Sequence, residues 1–455
     1  MIGKPFIKYG LLISLSLIFS TNVNATNGYF GHGYGTKNKG LVGGGVALPQ
    51  DAMITATNPA GLAFVAERAD LGVAMFSPSP RSYSATAGAN SNVCGGPGQC
   101  PFTIGAGSAQ DIDSDNDLFL IPHFAMNWNL NPQSGIGVSV YGNGGMNTEY
   151  VGGVAEHESA PGSGTTAVTP GTFGAGTAGV NLEQLFINTT YARKINQKSS
   201  WGVSAILAYQ RFEAKGLGTF AGFSTNAANL SNNGTDDSFG FGFKLGVQGE
   251  VINGLTLAAS YQSKIDMDEF DKYSGLFAEN GDFDIPATWT LGLAFDFTPK
   301  TVFTFDVQQI EYSGVKAIAN PMNNLINPSG CAGGNTQNCL GGANGAGFGW
   351  RDMTIVKFGL QWEYSPQWIW RAGYSHGKQP IPEAEVVFNI LAPAVIEDHL
   401  TFGFTYGISS NSELNFSFMH ALENSITGSN PLNPSQKVTL EMTQNEAEVS
   451  WAWKF

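Results

Sequence analysis

The chain has 455 residues and a net charge of −14, and charged side chains make up only 13% of it. That is well below the roughly 25% usual in soluble domains, yet no stretch beyond the amino-terminal segment is apolar for the 18 or more residues a spanning helix needs. The acidic balance also excludes a nucleic-acid partner, which leaves a membrane protein that crosses with strands as the reading to test.

Residues 1–25 read as an export signal: Lys4 and Lys8, an apolar core from Leu11 to Phe19, then Val23-Asn24-Ala25 as a small-residue cleavage site. Residues 26–66 follow and do not alternate. They hold Gly28 to Gly35, Gly43-Gly44-Gly45 and Asn58-Pro59-Ala60. A Gly-rich, partly apolar segment is a poor membrane span, but inside a lumen glycine lets backbones approach closely, so it is expected to form a hatch. A phosphate-binding loop is excluded, because no strand precedes the glycines and no Gly-Lys-Ser/Thr follows.

Residues 67–455 carry a recurring period of two, and fourteen strands are predicted: 69–77, 118–130, 135–147, 180–194, 200–213, 239–250, 255–265, 285–297, 301–312, 350–364, 367–377, 395–407, 412–422 and 441–455. The clearest runs are Phe239/Phe241/Phe243/Leu245/Val247, Trp289/Leu291/Leu293/Phe295/Phe297 and Val356/Phe358/Leu360/Trp362/Tyr364, each with small or polar residues between. Links such as 131–134, 252–254, 298–301 and 365–366 are short, whereas 78–117, 148–179, 214–238, 266–284, 313–349, 378–394 and 423–440 are long. Short turns on one side and long loops on the other is the bacterial outer-membrane arrangement. The fold class expected is therefore all-β, a fourteen-stranded antiparallel transmembrane β-barrel with an amino-terminal hatch inside the lumen.

Several features of these strands and loops bear on function. Cys94 and Cys100, and Cys331 and Cys339, lie as close pairs in two long loops. After export local pairing is expected, although spacing leaves the other two connectivities open. Gly142-Asn143-Gly144-Gly145 in the third strand should break its ladder, or else end the strand early. Leu217, Phe220 and Phe223 in one long loop and Tyr273, Leu276 and Phe277 in the next form apolar clusters that suggest a ligand groove or a lid of loops packed on each other. Parity turns Lys357, Arg371 and Lys244 towards the lumen, with Asp296, Asp306, Glu363 and Glu448. A carboxylate entering an apolar pocket needs a cationic partner, and Lys357 and then Arg371 are the candidates, against wall charges paired around a hatch. The chain ends on Val449, Trp451, Trp453 and Phe455 on one face, which suits an aromatic girdle at a bilayer surface.

Other motifs are set aside. Gly373-Tyr374-Ser375-His376-Gly377 matches a serine-hydrolase elbow, but Pro380 and Pro382 follow where a helix is required. Asp111 to Asp117 begins like a calcium loop yet has Asn116 and Pro122 where the pattern wants Gly and Glu. No histidine spacing suggests a metal, and no catalytic group, cofactor or metal is expected.

In order along the chain, Asn58-Pro59-Ala60, Arg371-Ala372-Gly373-Tyr374-Ser375 with Pro380-Ile381-Pro382, Asn389 to Val395 with His399, and the aromatic last strand make the mature chain resemble the FadL/TodX family of outer-membrane transporters. That resemblance implies a fourteen-stranded monomer in a Gram-negative outer membrane, in contact with lipid and lipopolysaccharide. It also implies external loops that capture apolar ligand and an inward kink in the third strand that opens the wall sideways. The function expected is passive uptake of hydrophobic molecules, with long-chain fatty acids first. Aromatic hydrocarbons, or small polar solutes through a general porin, are the alternatives.

Overall fold

The computed structural model describes residues 27–88, 94, 100–160 and 162–455, so the expected export signal lies outside the described residues. The wall consists of β1 (Arg68–Ser77), β2 (Phe119–Asn131), β3 (Ser134–Tyr150), β4 (Ala178–Lys194), β5 (Ser199–Lys215), β6 (Asp236–Ile252) and β7 (Leu255–Gln262). It continues with β8 (Thr288–Thr298), β9 (Thr301–Ile310), β10 (Met353–Ser365), β11 (Trp368–Gly377), β12 (Asp398–Ser409), β13 (Ser412–Asn430) and β14 (Asn433–Lys454). Every strand pairs antiparallel with its neighbours in sequence, and β14 returns to β1 from Arg68↔Lys454 to Ser77↔Asn445. The ring is closed, which leaves no sheet edge to satisfy in lipid except where β2 and β3 part beyond His123↔Tyr141.

Alternation sets the two faces. On β6 the outward Phe239, Phe241, Phe243, Leu245 and Val247 are exposed, while the inward Lys244 and Gln248 are buried. Outward apolar side chains meet acyl chains, so their exposure costs nothing there. Trp128, Trp201, Trp362, Trp451 and Trp453 cluster at the end with the short turns. At that same end Trp368 packs on Tyr406 with ring centroids 4.7 Å apart. This is the girdle that the carboxy-terminal strand announces.

One expected loop is not a loop. Positions 423–440 continue β13 and β14 as a paired ribbon from Asn424↔Met442 to Asn430↔Asn433. The short strand Arg81–Ala85 pairs with this ribbon, and Gln110–Asp113 pairs with that strand in turn. Backbone pairing runs on past the bilayer surface, but there Val438, Leu440 and Met442 place the apolar side chains on the buried inward face that Glu446 and Glu448 occupy further along, so the outward apolar face stops where pairing does not. Disulfides Cys94–Cys100 and Cys331–Cys339 lie in the long loops.

Residues 27–67 lie against the inner wall in three tight turns: Thr36–Lys39, Ala52–Ala56 and Pro59–Phe64. Asp51 caps the second by accepting from Met53 N, and Asn58 caps the third by accepting from Ala60 N ahead of Pro59.

Candidate functional site

The hatch is seated by shape and by charge. Gly202 on β5 pairs directly with Gly246 on β6, and a Cβ on either would run into Asn58, Pro59 or Ala60. This pair of missing side chains is the socket for the Asn-Pro-Ala triplet. Asn58 Nδ2 then donates to Val46 O at 2.9 Å, and Ser200 Oγ donates to Ala60 O at 2.7 Å.

Two lysines on one helical turn supply the charge contacts. Lys37 Nζ meets Glu413 on β13 at 2.5 Å, in a cluster where Arg68 binds both Glu413 and Asp70. Lys39 Nζ lies between Glu446 and Glu448 of β14, at 2.8 and 2.7 Å. Glu448 also accepts from Thr36 Oγ1 at 2.7 Å. All of these side chains are buried, where an ion pair holds only if every partner is present.

The cations expected to meet a ligand carboxylate are engaged elsewhere. Lys357 Nζ donates to His32 O and Gly43 O at 3.1 and 3.2 Å, and Lys244 Nζ donates to Ala56 O. Arg371 Nε donates to Gln50 Oε1 at 2.7 Å and its Nη1 to Thr405 Oγ1 at 2.8 Å. All three face inward, but they hold the hatch, because its carbonyl-rich turns reach them first. Asp306 joins them by accepting from Val46 N, whereas Asp296 and Glu363 lie exposed at the short-turn end.

The third strand does break its ladder. Pairing of β3 with β2 stops at His123↔Tyr141, although β2 continues to Phe119 along β1. Beyond that point β3 stays on β4, with a bulge between Gly142 and Gly144. The hatch takes the vacated edge: Gly31 N donates to Asn143 O at 3.0 Å and Gly145 N to Tyr29 O at 2.8 Å. A Cβ on Gly144 would collide with the Tyr29 carbonyl, so glycine is what allows the approach. A cavity of about 30 Å³ occupies this break, lined by His32, Tyr34, Lys39, Pro122 and Tyr141 among others.

Over the lumen the loops form a roof. Leu217, Phe220, Tyr273 and Phe277 are buried rather than displayed, Leu276 is half-buried, and Phe223 stands 36% exposed. Phe277 packs on Phe212 and on Phe283, each with centroids 4.7 Å apart. Beneath them is a slot of about 40 Å³ whose walls are carbon: Leu217, Phe220, Leu276, Phe277, Phe348 and Leu391. The slot is far smaller than the ~150 Å³ that holds a benzene in an engineered apolar cavity, so an occupant enters only as the loop side chains part. Tyr312, Trp350 and Arg81, which sequence patterning did not single out, also belong here. Tyr29 N donates to Tyr312 OH at 3.2 Å, and Tyr312 packs on Trp350 at 5.0 Å, so roof and hatch are joined. Their signal is burial created by loop folding, which no local period encodes.

The hydrolase motif lies inside an unbroken strand. Ser375 Oγ and His399 Nδ1 are 3.2 Å apart as a cross-strand pair of β11 and β12, and Pro380 and Pro382 separate the strand from the short turn Glu383–Glu385, so the sharp strand-to-helix elbow the motif requires is not formed. Among the described residues no cluster of three His, Cys, Asp or Glu could hold a metal.

A family model described as outer membrane protein transport protein (OMPP1/FadL/TodX) matches residues 35–450. Among solved structures the chain is similar to a Pseudomonas aeruginosa FadL homologue, with TM-score 0.63 and 15% identity over 96% of this chain and 99% of that one. It is also similar to the P. putida toluene transporter TodX, with TM-score 0.59 and 16% identity over 93% and 99% of the two chains. The Ralstonia pickettii toluene transporter TbuX gives TM-score 0.57 and 17% identity over 93% and 99%. No curated protein matches.

Proposed function

Because the chain belongs to the OMPP1/FadL/TodX family of outer-membrane transport proteins, we propose that it takes up long-chain fatty acids passively, from roof to hatch to the break in the wall. The coarser part is common to the family: a Gram-negative outer-membrane barrel that transports hydrophobic molecules and is not an enzyme. The observation that supports the lateral route is the vacated edge of β3. A closed barrel has all its ladder bonds made between neighbouring strands, whereas here the hatch supplies them at Asn143 and Gly145. Withdrawal of residues 29–31 therefore opens the wall without unpairing any strand from another.

Ligand is caught under the roof at the carbon-lined slot and passes to that break when the hatch shifts. The slot by itself would serve an aromatic hydrocarbon as well as an acyl chain, since none of its walls is charged. Uptake of radiolabelled oleate and toluene in a strain lacking other carriers tests the reading. Oleate should enter, and valine at Gly142, Gly144 and Gly145 together, whose side chains would fill the opening even with residues 29–31 displaced, should stop it. Unchanged uptake in a correctly folded variant overturns the lateral route, and toluene entry without oleate entry overturns the fatty-acid assignment.

A further inference from the structure

A second slot lies beside the first. Leu391 lines both, and the second is further walled by Met146, Trp350, Pro393, Met442 and Arg81. Met146 follows the β3 break by two residues, so the slot stands between the roof and the opening in the wall.

Arg81 is 7% exposed, and among the described residues its side chain is held by a hydroxyl and a carbonyl, not by a carboxylate. Its Nη2 donates to Ser114 Oγ at 3.0 Å and to Asn116 O at 2.6 Å, and its Nε has no partner among the described residues. The charged and titratable groups that face it are Asp117 and Tyr150. Burial pushes the guanidinium down to about 10, which still leaves it charged at neutral pH. Asn147 Oδ1, also unpartnered in the slot wall, is an acceptor and suits a water, not an anion. A buried cation held by a hydroxyl and a carbonyl, with one N–H unmet, lacks an anionic oxygen.

We propose that Arg81 is the headgroup anchor of this transporter: it binds the carboxylate of a fatty acid whose chain lies in the neighbouring carbon-lined slot. This rests on the uptake reading above and assigns its charge selectivity to the first residue of the Arg81–Ala85 strand in place of Lys357, Arg371 or Lys244. At about 20 Å³ the slot has room for little more than one water as it stands, so the headgroup enters together with a shift of the 391–394 segment.

The test is competition binding to the full mature chain in maltoside micelles, with oleate and its uncharged methyl ester. Arg81→Ala and Arg81→Gln should weaken oleate about tenfold or more, the scale of one lost charge-assisted contact, and leave the ester within about twofold. Arg81→Lys should restore part of the oleate affinity. If Arg81 only pins the 114–117 loop, both ligands weaken together, and the proposal is overturned. It is equally overturned if neither weakens, or if the unaltered protein does not prefer oleate to the ester. Should Arg81→Ala fail to fold, the Gln and Lys variants give the same reading. Failure of the uptake reading looks different, since the unaltered protein then binds neither ligand.

Discussion

Lys39 is the lysine that two wall carboxylates share. Glu446 and Glu448 stand two positions apart on the inner face of β14, and Glu448 is further held by Thr36 and His123. Removing one partner of a buried ion pair costs about 3–5 kcal/mol, because the other charge is left uncompensated. Lys39→Ala should therefore loosen the hatch, and current steps in planar bilayers should appear that the unaltered protein lacks. Adding Glu446→Gln and Glu448→Gln to a Lys39→Met background should silence them again. Continued silence in Lys39→Ala would show that the turn is held by shape alone. In the roof, Asp282 is expected to make the loop sensitive to pH. Burial, and then Asp284 and Glu279, push its carboxyl up to about 7, and Lys264 opposes them. The fold favours the protonated acid, so its contribution is full below the ordinary carboxylate value and is lost as pH rises through about 7. Hydrogen exchange across 266–287, corrected for the intrinsic rate, should be slower at pH 5 than at pH 8. Asp282→Asn should abolish the difference, and a loop that tightens with rising pH would contradict the assignment.

Among the elements, the wall was readable from the sequence because lipid outside and a wet bore inside impose a period of two on every spanning strand. The fourteen ranges follow from it. The same reasoning fails where lipid ends: the ribbon beyond Ala421 and the strand Arg81–Ala85 keep their hydrogen bonds and their alternation, but their apolar side chains turn inward to the core and no outward greasy face marks them as strands. The role of Lys357, Arg371 and Lys244 was misread for a related reason. Parity gives the side on which a residue lies, but its partner lies more than 180 positions away in the hatch, and no local pattern carries that distance. The glycines of β3 were readable as a break, although the reason for glycine at 144 is the Tyr29 carbonyl pressed against it. Gly144→Val should expel residues 29–31 and forfeit two buried backbone hydrogen bonds, about 1 kcal/mol each. The strand itself should survive, since its pairing with β4 is untouched. A cysteine at Tyr29 should then react with an external maleimide in the valine variant and stay protected without it, and protection in both would mean that the hatch does not depend on this approach.

For the molecule as a whole, the question is whether the hatch is part of the fold or a stopper placed in a fold already complete. The ladder of β1 to β14 closes without residues 27–67, whose bridge to it among the described residues is Phe30↔Gly144 at the break in β3. The buried charges that face the hatch, Glu413, Glu446, Glu448, Asp306 and Lys357, would become wet, not orphaned, because a fourteen-stranded ring leaves a bore wide enough for water. A chain lacking 27–66 should therefore still form a barrel, recognised by its altered gel mobility before and after heating. It should carry a large steady conductance, where the intact protein carries little. A general porin would show that conductance with the hatch in place. A deletion that no longer folds would instead make the hatch a core, and uptake would then have to proceed without its displacement.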